Sequence, residues 1–138
     1  MNYRNVWEEY FNRDTVNCEI GGDNTKNILW RSNNIPLPQP LKYVVINCGA
    51  SNLDTDNPGE ISDGLICIAL LFQKRLKHLQ SVVNVVIHCD AINTKRRQKL
   101  LEVKQLLWDK YMNYTSASFL KPDTDWTTIH VGLSKTFY

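Results

Sequence analysis

Nowhere in this 138-residue sequence does an apolar run approach the roughly 20 residues of a membrane-spanning helix. The opening MNYRNVWEEYF also lacks the uninterrupted apolar core of a secretory signal. Both absences predict a soluble, cytoplasmic chain with no membrane span. A CxxC pair is missing too: Cys18, Cys48, Cys67 and Cys89 are widely separated, and only three histidines are present, scattered. No metal-ligand spacing results, so neither a metal nor a cofactor is expected. Because three of the cysteines lie in apolar runs, all four are expected as reduced core residues of an intracellular protein. The sequon Asn113-Tyr114-Thr115 is then expected to stay unmodified. Charge of one sign is lacking as well. Sixteen basic and 14 acidic residues leave +2, a field too weak to indicate nucleic acid or an anionic membrane, so any basic partner surface must be local. With no repeats or low-complexity tracts, residues 1–138 read as one domain, and 43% hydrophobic content is enough for a core of its own.

What is present alternates between two periodicities. Tyr3, Val6, Trp7, Tyr10 and Phe11 recur at helical spacing and predict an amphipathic helix with an aromatic face. TVNCEI (Thr15–Ile20) predicts a short strand, and Gly21-Gly22-Asp23 a turn opening a helix through NILWR (Asn27–Arg31), with Trp7 and Trp30 as core anchors. Prolines 36, 38 and 40 make NNIPLPQP (Asn33–Pro40) a stiff connector. KYVVINC (Lys42–Cys48) has the β-branched character of a strand covered on both faces. Asp56 or Asn57 then caps a helix that carries Pro58 near its start and runs to about His78, burying Ile61, Leu65, Ile68, Ala69, Phe72 and Leu76. SVVNVVIHC (Ser81–Cys89) is another strand. A helix from Asn93 or Thr94 to about Met112 turns Leu100, Val103, Leu106 and Leu107 inward, and YTSASFL (Tyr114–Leu120) and TTIHVGL (Thr127–Leu133) are extended. This order predicts a doubly wound α/β domain with a parallel sheet, whose ligands sit on the loops leaving the strands: Gly21–Asn24, Gly49–Asp54 and Cys89–Thr94.

The run VNCEIGGDNTKNILWR (Val16–Arg31), followed by KYVVINCGASNLDT (Lys42–Thr55), resembles the central part of the SGNH hydrolases. The nearest branch is the platelet-activating-factor acetylhydrolase Ib type, which also occurs as an esterase module in the first open reading frame of LINE retrotransposons. The resemblance implies a three-layer α/β/α, flavodoxin-like fold. It places Gly22 at the glycine whose N–H faces the oxyanion of ester hydrolysis, supported by Gly21 and Asp23, and aligns Gly49-Ala50-Ser51-Asn52 with the block that supplies an asparagine donor. Aligned on Gly49, the donor position holds Ser51, and Asn52 follows it. The family's GDS nucleophile turn and its DxxH base motif have no counterpart in the sequence, so a truncated domain missing its first strand is expected. The implied module is catalytically silent, retroelement-derived or truncated; alternatively, it is an acetyl-ester hydrolase completed by sequence outside this chain. In the family order the absent strand lies between those ending near Cys18 and Cys48. Direct pairing of these two, replacement by Thr127–Leu133, or intermolecular pairing in a homo-oligomer is therefore expected.

Other residues offer weaker chemistry. His88 beside Cys89 and Asp90 suggests a cysteine hydrolase, but neighbouring strand side chains point to opposite faces, which favours a structural or rim role. His78, among Lys74, Arg75 and Lys77, suits a helix C-terminus. His130 has no identifiable partner. Ser51 as a displaced nucleophile lacks a base, Asp123 and Asp125 suit a turn with Trp126, and Lys95, Arg96, Arg97 and Lys99, with Lys104, could touch RNA. Without interleaved aromatics, the basic cluster reads first as a solvated helix face.

Overall fold

A computed structural model describes residues 15–38, 41–76, 80–84, 95–111 and 117–119. Helix α1 (Thr25–Asn34) starts where Asn24 accepts the Asn27 N–H at 3.0 Å, a side-chain cap on an otherwise orphan donor. It ends at Ile35, whose ψ of 136° is the extended conformation a following proline imposes. Its last carbonyls are satisfied from another helix: the Arg75 guanidinium donates to Ser32 O and, at 2.8 Å, to Ile35 O.

Strand β1 (Tyr43–Asn47) follows the proline connector, and helix α2 (Pro58–Arg75) follows the loop after it. The start of α2 is a capping box. Asn57 Oδ1 accepts from Glu60 N and Glu60 Oε2 accepts from Asn57 N, both at 2.9 Å, with proline in the first turn. Ile61, Leu65, Ile68, Ala69 and Phe72 form its buried stripe, as the spacing predicts, with Leu76 partly buried against it. Strand β2 (Gln80–Asn84), helix α3 (Lys95–Tyr111) and strand β3 (Ala117–Phe119) complete the described elements. Leu100, Val103 and Leu107 of α3 join the core, and Leu106 is half-buried.

The three strands form a parallel sheet in the order β1-β2-β3, with Val45 opposite Val82 and Val82 opposite Ser118. Helix α2 lies against β1 and β2, flanked by α1 and α3. Strand alternation divides β1: Ile46 is buried towards α2, whereas Tyr43 and Val45 point the other way and Val45 is 67% exposed. Among the described residues, helices therefore cover one face of the sheet. The segment carrying Tyr3 to Phe11, the later parts of the strands expected over 81–89 and 114–120, and Thr127–Leu133 lie outside the described residues.

Four expectations are corrected. Thr15–Ile20 forms no strand and is exposed along its length. A strand exists only with a ladder partner, and β1 pairs with β2 alone among the described residues, so direct pairing between the Cys18 and Cys48 segments, one of the three arrangements expected, is not seen there. Instead, the Arg31 side chain holds this segment by donating to Cys18 O at 2.7 Å. Trp30 is 69% exposed rather than a core anchor, because α1 buries the opposite face, with Thr25 and Ser32. Cys18 and Cys67 are exposed rather than core residues, Cys67 lying on the outer side of α2; Cys48 is buried as expected.

Helices α1 and α2 approach most closely at Gly64, where an added Cβ would stand 2.8 Å from Thr25 Oγ1 and 2.9 Å from Thr25 Cβ. Gly64→Ala should therefore destabilise by about 1–3 kcal/mol through overpacking, against a helix-propensity gain of about 1 kcal/mol. Urea unfolding measures the balance, and a net gain in stability would show that the helices do not cross this closely.

Candidate functional site

Two turns build the site, each around a glycine that must take positive φ. Gly22 (φ 85°) sits in the turn closed by Asp23 N donating to Ile20 O at 3.2 Å, at the position where such a turn calls for left-handed backbone. Among the described residues, no atom beyond its chain neighbours lies within 4 Å of where its Cβ would be, which leaves the backbone open on that side. Gly49 (φ 110°) turns the chain at the end of β1 into a single 3₁₀ turn, Ala50–Asn52. It is buried, and an added Cβ would meet Ile61 Cγ2 at 3.3 Å.

Asn52 joins the two turns. It is 1% exposed, and its carboxamide is committed inward. Oδ1 accepts from Thr25 N at 3.0 Å, and Nδ2 donates to Thr25 Oγ1 at 3.1 Å and to Asp56 Oδ2 at 2.6 Å. This places the first turn of α1 against the Gly49 loop. Ser51, the preceding residue, is exposed. Of the two candidate donors aligned with the family's asparagine, Ser51 is thus presented outward and Asn52 is a structural bridge. Asp23 pairs with Arg31 and is close enough to Cys48 to act on its thiol.

Electrostatics separate the site's groups. Burial first, and the Asp23 carboxylate second, push the Cys48 thiol up to about 12, so it stays protonated and cannot serve as a nucleophile near neutral pH. Asp56 is held below the usual carboxylate range, chiefly by the hydrogen bond from Asn52, then by one from Thr55, with burial opposing and Lys26 and Lys99 assisting.

The basic helix start has an unanticipated role. Lys99 Nζ donates to Leu53 O at 2.6 Å and to Asp56 O at 2.9 Å, and Arg96 pairs with Asp54 at 3.1 Å. Two of the five residues considered for RNA contact therefore grip the Gly49 loop; Lys95 is exposed, Arg97 half-buried, and Lys104 is buried rather than on a solvated face. Thr25 was not anticipated as a site residue, Asp56 was considered only as a helix cap, and Lys99 only for RNA contact. Asn24-Thr25 directly after Gly-Gly-Asp hints at a helix start, but nothing local in the sequence links Lys99 to a loop 46 residues away. His78, His88, Cys89, Asp90, Asp123, Asp125, Trp126 and His130 lie outside the described residues. Among the described residues, no group of three or more potential ligands is placed to hold a metal, and no helix is long and apolar enough to cross a membrane.

Among the described residues, the Gly49 turn at the end of β1 carries an exposed serine beside a buried asparagine, and that asparagine ties it to the helix start after the Gly22 turn. The sequence comparisons suggest an esterase-like domain. The chain is 27% identical over 131 residues to the platelet-activating factor acetylhydrolase IB subunit alpha2 of Homo sapiens and of Bos taurus, covering 94% of this chain and 56% of theirs. It is 26% identical over 124 residues to the alpha1 subunit of Rattus norvegicus, covering 89% and 53%. The chain thus spans about half the length of the curated relatives it matches. No protein-family model matches it.

Two outcomes follow from this geometry. Because Asp56 releases its proton more readily in the folded than in the unfolded state, its contribution is complete above the ordinary carboxylate pKa of about 4 and is lost as pH falls through the lower, folded value. Asp56→Ala should therefore cost stability at neutral pH and progressively less below about pH 4, as read by denaturant unfolding across pH. Mass-resolved alkylation of the folded chain should label Cys18 and Cys67 quickly and Cys48 only on unfolding; equal labelling of Cys48 would contradict its burial.

Proposed function

We propose that this chain is an SGNH-type, esterase-like domain of three-layer α/β/α, flavodoxin-like architecture, in which an oxyanion-stabilising pocket persists without the groups that perform hydrolysis. One observation carries the reading: the Asn52 carboxamide is spent on Thr25 and Asp56, which leaves the open Gly22 turn and the Ser51 hydroxyl to face a ligand. A backbone N–H and a hydroxyl can stabilise the negative oxygen of a tetrahedral intermediate, though serine reaches less far than a carboxamide. One missing donor of this kind costs on the order of 3 kcal/mol of transition-state stabilisation. Oxyanion stabilisation alone breaks no ester bond. The attack needs a nucleophile and a base to take its proton. The sequence has no GDS turn and no DxxH, and the buried Cys48 thiol is held protonated.

A second reading, a carboxylic-ester hydrolase completed by polypeptide outside this chain, is favoured by the sheet. Strand β1 has β2 as its one strand neighbour among the described residues, and Thr15–Ile20 stands exposed rather than pairing. A further parallel strand beside β1 would deliver its own loop next to Gly22 and Ser51, where a nucleophile would be needed.

The polypeptide of 138 residues should hydrolyse short-chain p-nitrophenyl esters no faster than buffer, and Ser51→Asn should not create turnover. Activity in the unaltered chain that disappears in Gly22→Ala or Ser51→Ala would overturn the inactive reading. Activity that emerges only when a longer polypeptide bearing a serine turn is supplied would select the second.

A further inference from the structure

We propose that Lys99, on neither of the two site turns, is the positioning residue of the candidate pocket, its ammonium fixing the loop that presents Ser51 and, through Asp56 and Asn52, the first turn of α1 beside Gly22. The inference rests on the pocket reading above and adds a residue to it.

The loop between Asn52 and the α2 cap has little regular structure of its own. Thr55 N and Asp56 N both donate to Asn52 O, at 3.1 and 2.8 Å, which curls the chain and turns the carbonyls of Leu53 and Asp56 towards α3. Leu53 is 2% exposed, so its carbonyl needs a donor from within the protein. Lys99 supplies that donor and bonds Asp56 O with the same nitrogen. A lysine suits the task because an ammonium carries three donors on a flexible stem and satisfies two divergent acceptors at once. From Asp56 the connection continues inward. The Asp56 carboxylate takes the Asn52 carboxamide at 2.6 Å, and Asn52 takes the Thr25 N–H at 3.0 Å. Four residues from three separate segments thus form one hydrogen-bonded chain. Its ends are helix α3, which belongs to neither site turn, and the helix start that follows Gly22. Arg96, paired with Asp54, grips the same loop.

Lys99→Met keeps the apolar stem and removes the donor. Backbone amide exchange followed by NMR should then show Thr25 N–H exchanging at least about tenfold faster, while the amides of Leu65 and Ile68 inside α2 hold their rates. Lys99→Arg, which can bond both carbonyls, should restore Thr25 protection. Unchanged Thr25 exchange overturns the proposal. So does an equal rise throughout α2, or loss of the fold, since each would make Lys99 a general stabiliser. At the pocket itself, titration with methylphosphonate as a tetrahedral anion should shift the Gly22 and Ser51 amides of the unaltered protein and do so at least about fivefold more weakly in Lys99→Met. If the unaltered protein shows no such shift, the pocket reading falls, while the exchange comparison still decides the role of Lys99.

Discussion

The carboxamide of Asn52 is the hinge of this structure. A buried primary amide has two donors and an oxygen to satisfy, and leaving them unmet in a core costs on the order of 1–3 kcal/mol each. Thr25 and Asp56 meet that demand, and in doing so they bring together segments 27 residues apart in sequence. Orientation follows from commitment. Within a tight 3₁₀ turn, one residue pointing into the core leaves its neighbour facing out, so Ser51 is presented because Asn52 is engaged. The character of the outward surface, a hydroxyl and an open glycine turn, is a by-product of inward packing.

The same economy runs through the helical layer. Thr25 and Ser32 are the buried residues of α1, and Gly64 receives Thr25 on α2, so these two helices meet through small side chains while the large apolar ones fill the space towards the sheet. Long cationic side chains then reach between elements to carbonyls that no backbone donor serves: Arg75 to the end of α1, Lys99 to the loop before α2. Their stems pack and their heads bond, which is why residues that count as surface charge by composition act as internal fasteners. The opposite face of the sheet follows a different logic. Parallel strands are ordinarily covered on both sides, yet Tyr43 and Val45 are exposed.

Similarity to the acetylhydrolase subunits bears on these features unevenly. At 25–28% identity, the alignments support an esterase-like domain, and they extend across most of this chain but about half of each relative.

Helix α2 was largely legible from the sequence: a cap at Asp56 or Asn57, Pro58, and a stripe running from Ile61 to Phe72 follow from local rules of capping and a 3.6-residue period, while the structure selects Asn57 and ends the helix at Arg75 rather than near His78. The glycine turn that opens α1, the proline connector after it and the existence of strand β1 were determined in the same way, because each depends on a residue's own backbone limits or near neighbours, whereas the expected cover on both faces of β1 is not seen at Tyr43 and Val45. Thr15–Ile20 was misjudged for the complementary reason. β-branched composition permits a strand, but only a partner's peptide groups make one. Trp30 and Cys67 were misplaced because apolar character does not say which side of a helix the neighbours occupy. The roles of Ser51, Asn52 and Lys99 were decided by tertiary structure alone, since a hydrogen bond across 27 or 46 residues leaves no local pattern. The identities of side chains determined what each could bond; only the packing of α1, α2 and α3 on the sheet determined which bonds were within reach.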